Sequence, residues 1–398
     1  MKERLMFQNA PHVRQSESVV TMMTDVIVAL LPIYLIAFFY HGASSLVLGI
    51  SGVLFCGLLS VLGAILLREK PAADLTPIIT GLIIPLLLPA DIPYYVLFSA
   101  CAVAIFVVKI PFGGTGYNLF NPAAVGFASV AICWPELVFR YPATMQKIEV
   151  FGESTVKIAQ SPAYSLSLGA IPDQNILDLL LGSAPGPMGA TNILVVVACG
   201  IFLIVKKAIN WIEPVSFILP YSVLCLLFPR IGGSPLEALC YELFSGALIF
   251  GAFFMLTEPV TSPKRDFGKL MAGVSSAIVV FLFRYFGKFE MGFASALILM
   301  NVFSPIFDSV CENVLHVLRH TDNISASIKA EIAAKKAAKT VSEPVVRPVK
   351  KTEEAEIAEV SEEIAEIEEI EVVEVSEEVL EAENETTEET EKEEALAQ

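Results

Sequence analysis

The sequence predicts an all-α integral membrane protein with about ten transmembrane helices, arranged as two halves of five in an inverted repeat with interrupted helices. Three observations predict it. Hydrophobic residues make up 55% of the chain against 17% charged, far from the balance of a soluble domain. Apolar runs long enough, or nearly so, to cross a bilayer recur from residue 24 to residue 307. The formal charge of −17 sits almost wholly in one place, because residues 321–398 hold 24 acidic and 8 basic side chains. The acidity therefore describes a tail and says nothing about the partners of the membrane body.

Residues 1–23 form a polar arm without a small-residue cleavage site, read as a retained cytoplasmic arm rather than a signal peptide. The first membrane half, 24–139, carries runs at 24–40, 46–67, 76–88, 94–109 and 121–139. A long polar segment, 140–191, follows. The second half, 192–318, carries runs at 192–207, 214–229, 241–256, 271–287 and 291–307. A cytoplasmic arm puts twelve of the Lys and Arg side chains before the tail inside and six outside, which favours this orientation. It also puts the 140–191 loop on the extracytoplasmic side and the tail, 319–398, in the cytoplasm.

Two runs are irregular. The 76–88 run is short and carries Pro85, with Pro89 just beyond, and the 241–256 run leads into "TEPVTSP". Each is followed by a further run and then by an Asn-containing segment, "NLFNPAAVG" or "LMNVFSPIFD". Five segments per half is an odd number, so the second copy would be inverted, an architecture in which broken helices line a site. The alternative is that Pro and Gly merely recur in membrane helices.

Other residues read more plainly. The seven cysteines are scattered along apolar runs without a CxxC or Cys/His pair, so they suggest small buried hydrophobes and no metal site. Asp25, Asp74 and Asp308 lie near segment ends and read as interfacial; His12, in the arm, reads as a contact with a partner. The Glu-rich tail has isolated Ile and Val and no aromatics between residues 353 and 390, so it reads as disordered. Ile357, Val360, Ile364 and Ile367 leave a docking helix open. No residue reads as catalytic on its own, and nothing points to nucleic acid.

Five ordered motifs carry a resemblance: "PHVR" leading into "MTDVIVALLP", then "TGLIIPLLLP", "GGTGYNLFNPAAVG", "GAFFMLTEPVTSP" and "LILMNVFSPIFD". Over about residues 7–310 the chain resembles the D-subunit family of Rnf electron-transport complexes. The B subunits of sodium-pumping NADH:quinone reductases are more distant relatives. The resemblance implies a subunit, inactive alone, of a six-subunit bacterial or archaeal plasma-membrane translocase. Such a complex moves electrons between ferredoxin and NAD and exports sodium ions or protons.

The resemblance also implies FMN joined through its phosphate to a hydroxyl of the 140–191 loop. The family pattern is a Thr before Pro, upstream of an "LDLxLG" stretch. Here "QSPAY" precedes "LDLLLG", so the aligned hydroxyl is Ser161, a departure from threonine. A second candidate is Thr191 in "MGAT", which resembles a gly-ala-thr form of the attachment motif but lies after "LDLLLG". Its structural alternative is the N-cap of the following helix.

A second, non-covalent flavin, riboflavin, is implied at Asn118, Asn121 and Glu258, the last standing where the family usually has Asp. Glycines around Asn118 permit tight turns, Pro122 suits a first helical turn, and the two amides offer donors and acceptors. The alternative reading has the asparagines capping a re-entrant helix and Glu258 pairing with Lys264 or Arg265. Outside the resemblance, a flavin-free solute channel or transporter, or a structural scaffold, stay open.

Overall fold

The structure, a computed structural model, describes residues 19–68, 74–114, 116–150, 157–190, 192–287 and 290–314. His12, Thr191 and the acidic tail lie outside the described residues. The described residues belong to the unit Met1–His320.

Every apolar run contains a helix. The first half has α1 (Val19–His41), α2 (Ala43–Leu66), α3 (Thr76–Leu87), α4 (Tyr94–Ala102), α5 (Pro122–Cys133) and a short α6 (Pro135–Val138). A π-helical stretch, Val103–Lys109, extends α4. The second half has α9 (Ile193–Val205), α10 (Ile212–Leu227), α11 (Pro235–Leu243), α12 (Leu248–Phe254), α13 (Asp266–Tyr285) and α14 (Gly292–Val314). By length and composition α1, α2, α13 and α14 are each able to cross a membrane, with α11 and α12 together a fifth, bent span. Five shorter apolar helices, α3, α4 with its π extension, α5, α9 and α10, complete the set among the described residues.

The two runs read as irregular are interrupted, the eighth near its start rather than at "TEPVTSP", and each break has a local cause. Pro77 opens α3, and Pro85 with the extended Leu88 closes it. Between α11 and α12 the axis bends by 54°. Gly246 and Ala247 both have positive φ there, 67° and 56°, which no continuous right-handed helix accommodates.

Close helix crossings rest on small residues. A Cβ added to Gly81 of α3 would lie 2.6 Å from the Gly52 carbonyl oxygen of α2. Gly273 of α13 meets Ser216 of α10 in the same way. Among the described residues the cysteines are free and most are buried, as small hydrophobes would be.

The described residues of the 140–191 loop carry regular structure. A two-residue antiparallel pairing joins β1 (Tyr141–Pro142) to β2 (Ile158–Ala159). Two short helices follow, α7 (Pro162–Ser167) and α8 (Ile176–Leu181), then a 3₁₀ turn over Met188–Ala190. These pack a small apolar cluster of Leu166, Leu179, Ile231, Ala238 and Tyr241, which ties the loop to α11.

Candidate functional site

The chain turns sharply before α5, and that turn brings Asn118 and Asn121 to the segment that follows α12. Asn121 is the α5 N-cap: its Oδ1 accepts from the Ala124 N–H at 3.1 Å, satisfying one of the free donors of the first turn. Its Nδ2 donates to the Met255 carbonyl at 3.1 Å. Asn118 Nδ2 donates to Glu258 Oε1 at 3.2 Å, and Thr261 Oγ1 donates to Glu258 Oε2 at 3.3 Å. Asn301 of α14 closes the group. With its amide oriented to suit both partners, its oxygen accepts from the Asn121 N–H at 2.9 Å and its nitrogen donates to Leu297 O at 3.2 Å. Asn118, Asn121 and Glu258, predicted as one site, are thus in one place, joined across the two halves. The expected capping role of Asn121 also holds. Glu258 does not pair with Lys264 or Arg265: its two oxygens take Asn118 and Thr261, and Arg265 pairs with Glu312.

A cavity of about 100 Å³ opens beside this group, lined by Thr80, Asn121, Phe253, Phe254, Thr257 and Glu258 among others. Burial pushes the Glu258 carboxyl up to about 7, against the hydrogen bonds from Asn118 and Thr261 and the charge of Lys109. A carboxyl near 7 can donate or accept. Apolar walls with amide and carboxyl groups at one edge suit a flat heteroaromatic ring with polar edge atoms. Lys109, expected as a cytoplasmic surface charge, is buried. Its Nζ lies 2.7 Å from Asp74 Oδ2 and bonds Thr76. Asp74 is therefore held in an ion pair, with its side chain 10% exposed.

The second candidate site lies around the 140–191 loop. Ser161 is 4% exposed and N-caps α7, accepting from the Tyr164 N–H at 3.0 Å. Its hydroxyl donates to Glu290 Oε1. Burial pushes the Glu290 carboxyl up to about 7, opposed by that hydrogen bond and by the Arg284 charge. A small cavity here is lined by Ser161, Tyr141, Gly186, Ala190, Ser245 and Glu290 among others. Ser161 and the residue preceding Thr191 thus border one cavity, although they lie far apart in sequence. The N-cap of α9 is Asn192, accepting from the Val195 N–H at 3.0 Å. The helix starts one residue later than the sequence suggests.

Sequence reasoning missed the ion cluster beneath this cavity. Arg284 donates to Tyr221 Oη at 3.0 Å, Ser245 Oγ at 2.8 Å and the Glu242 carbonyl at 2.9 Å. Glu242 also lies 3.2 Å from Arg284 and 2.8 Å from Arg230. The signal was present in "VVFLFRYFGK", where an arginine interrupts an apolar run, and such residues face the interior with partners.

α9 links the two regions, starting beside Ala190 and ending before Ala208, which lines the first cavity. Its 13 residues span about 20 Å at the helical rise. An all-helical membrane protein with a polar group beside an apolar cavity at one end and a hydroxyl-bearing loop at the other is the class these features define. The chain belongs to the NQR2, RnfD, RnfE family, whose model matches residues 6–315. Named relatives agree with the family. The D subunit of the proton-translocating ferredoxin:NAD(+) oxidoreductase complex of Clostridium ljungdahlii is 31% identical over 316 residues, 77% of this chain and 94% of the relative. The D subunit of an ion-translocating oxidoreductase complex of Actinobacillus succinogenes is 29% identical, over 75% and 94%. The D subunit of the Na(+)-translocating ferredoxin:NAD(+) oxidoreductase complex of Acetobacterium woodii is 27% identical, over 76% and 92%.

Proposed function

We propose that this chain is the flavin-carrying membrane subunit of an ion-translocating ferredoxin:NAD(+) oxidoreductase complex. It joins the other subunits of a six-subunit assembly in the cell membrane, with both termini cytoplasmic and the 140–191 loop outside. Family membership and the names of the relatives support the assignment to such a complex. The observation that carries the flavin reading is the meeting of Asn118, Asn121 and Glu258 from opposite halves beside an apolar cavity.

At that site Asn118, Asn121 and Glu258 would hold riboflavin by its polar edge, while Phe253 and Phe254 exclude water from its face. Bound flavin supplies one- and two-electron chemistry. Glu258, with its carboxyl near 7, is able to hold or release a proton at Oε1 or Oε2 at neutral pH.

At the other end of α9, FMN would be anchored by its phosphate to a hydroxyl at the cavity that Ser161 and Ala190 border. Ser161, the lead from the sequence, has its oxygen occupied on both counts, as cap acceptor and as donor to Glu290. A phosphodiester there would remove the hydroxyl that Ser161 donates to Glu290 and bring a second anionic group against that carboxyl. These observations favour Thr191 as the attachment residue.

In-gel fluorescence of the denatured full chain, coexpressed with its flavin transferase and followed by peptide mass mapping, tests this. FMN on the peptide containing Thr191 is expected. FMN on the Ser161 peptide would move the anchor, and a dark band with a transferase proven on another target would remove the covalent flavin.

A further inference from the structure

Next to the Asn118, Asn121 and Glu258 group lies a second cavity, of about 20 Å³, bounded by α10, α13, α14 and the segment after α12. That volume accommodates one water-sized body. Its lining carries six side-chain oxygen donors: the Glu213 carboxylate, the hydroxyls of Thr261, Ser262, Ser276 and Ser304, and the Asn301 amide. Glu213, Ser276 and Asn301 are 4%, 2% and 5% exposed. Glu213 accepts from the Ser262 hydroxyl. The Ser276 Oγ, buried and bordering the cavity, has no hydrogen-bond partner among the described residues. An orphaned oxygen in so buried a position is costly unless a ligand completes it.

The donor set selects the ligand. Hydroxyl, amide and carboxylate oxygens are hard ligands, without the imidazole or thiolate that a transition metal prefers. One carboxylate balances one positive charge. Among the described residues no three His, Cys, Asp or Glu side chains converge, so the extra carboxylates of a typical divalent site are not at hand. The charged neighbours are Lys269, whose Nζ lies 3.9 Å from Glu213 Oε1, and Asp266 at the start of α13, which accepts from Asn210 at 2.9 Å. Glu213, Ser262, Pro263 and Lys269 also line a wider cavity of about 540 Å³, which Lys207 and Lys264 border. The two cavities thus share one wall.

We propose that the inner cavity binds a monovalent cation of sodium's size, with Glu213, Ser262, Ser276 and Asn301 as its oxygen ligands and Lys269 as the counter-ion it displaces from Glu213. Two contacts tie this position to the neighbouring site. Thr261, in the lining, donates to Glu258, and Asn301 accepts from the Asn121 N–H. Negative charge gained at the Asn118, Asn121 and Glu258 site therefore strengthens cation binding by simple Coulomb attraction; that coupling rests on the flavin reading, whereas the cation site itself does not.

The test uses the purified full chain in nanodiscs, titrated with NaCl against choline chloride at constant ionic strength, with KCl as the ion control. The expected result is a saturable, sodium-selective rise in melting temperature. Ser276→Ala should raise the sodium midpoint about tenfold, as loss of one buried ligand to a charge implies, and Glu213→Gln should abolish the effect. Should Glu213→Gln fail to fold, Ser276→Ala still decides. The absence of a sodium-selective rise, or an unchanged midpoint in Ser276→Ala, would overturn the site. Flavin extracted from the same samples keeps the two readings apart. Asn118→Ala should lose flavin and keep its sodium response, whereas wild-type protein that carries no flavin yet still responds to sodium would sink the flavin reading alone.

Discussion

Replacing Ser161 by Ala separates an anchor from a structural hydroxyl. The substitution removes the side-chain acceptor of the Tyr164 N–H, and loss of an N-cap costs about 1 kcal/mol. It also removes the hydroxyl donated to Glu290, and a hydrogen bond to a buried charged group contributes roughly 1.5–3 kcal/mol. The two act through one side chain on neighbouring groups, so a combined loss of about 2–3 kcal/mol is expected. The loss should depend on pH. Burial already holds the Glu290 carboxyl up at about 7, and the Ser161 hydrogen bond works against that rise. Without it the folded-state value climbs further from the unfolded one. The folded variant then binds a proton more strongly than the wild type, and its deficit grows as pH rises through and above 7. Thermal unfolding of the full chain at pH 6 and pH 8.5, with in-gel flavin fluorescence on the same samples, measures both effects. The variant should be less stable, more so at pH 8.5, with its fluorescent band intact. A band lost at unchanged stability would refute it and make Ser161 the anchor.

Other perturbations reach the remaining parts. Asn121→Ala should lower the riboflavin extracted from denatured protein and cost about 1 kcal/mol from the lost α5 cap, read by thermal unfolding. Glu242→Gln leaves Arg230 and Arg284 facing a neutral amide in a buried setting; a loss of about 3–5 kcal/mol is expected, and wild-type stability would contradict the role given to the cluster. Gly81→Val forces side-chain atoms into the Gly52 carbonyl and should destabilise by roughly 1–3 kcal/mol, whereas Gly57→Ala, with nothing near its added carbon, should be tolerated in the same assay.

Apolar length and composition made the membrane class legible in the sequence, because a bilayer imposes on any chain a demand that can be counted residue by residue. Each apolar run proved to contain a helix, and the end of α3 at Pro85 was visible as proline and short span, whereas the bend at Gly246 and Ala247 was not. Ordered motifs also nominated Asn118, Asn121 and Glu258 before any geometry was known. What only the tertiary structure decided was pairing across distance. Local sequence cannot tell that Lys109 turns inward to Asp74, that Glu258 meets Asn118 rather than Lys264, or that Ser161 and Ala190 border one cavity. Nor can it tell that Ser276 lacks a partner among the described residues while Arg284 has several. The physical reason is the same in each case. Hydrophobic burial along a helix depends on composition and is read locally, whereas the cost or benefit of a buried charge or hydroxyl depends on the one group that faces it, and folding alone brings that group there.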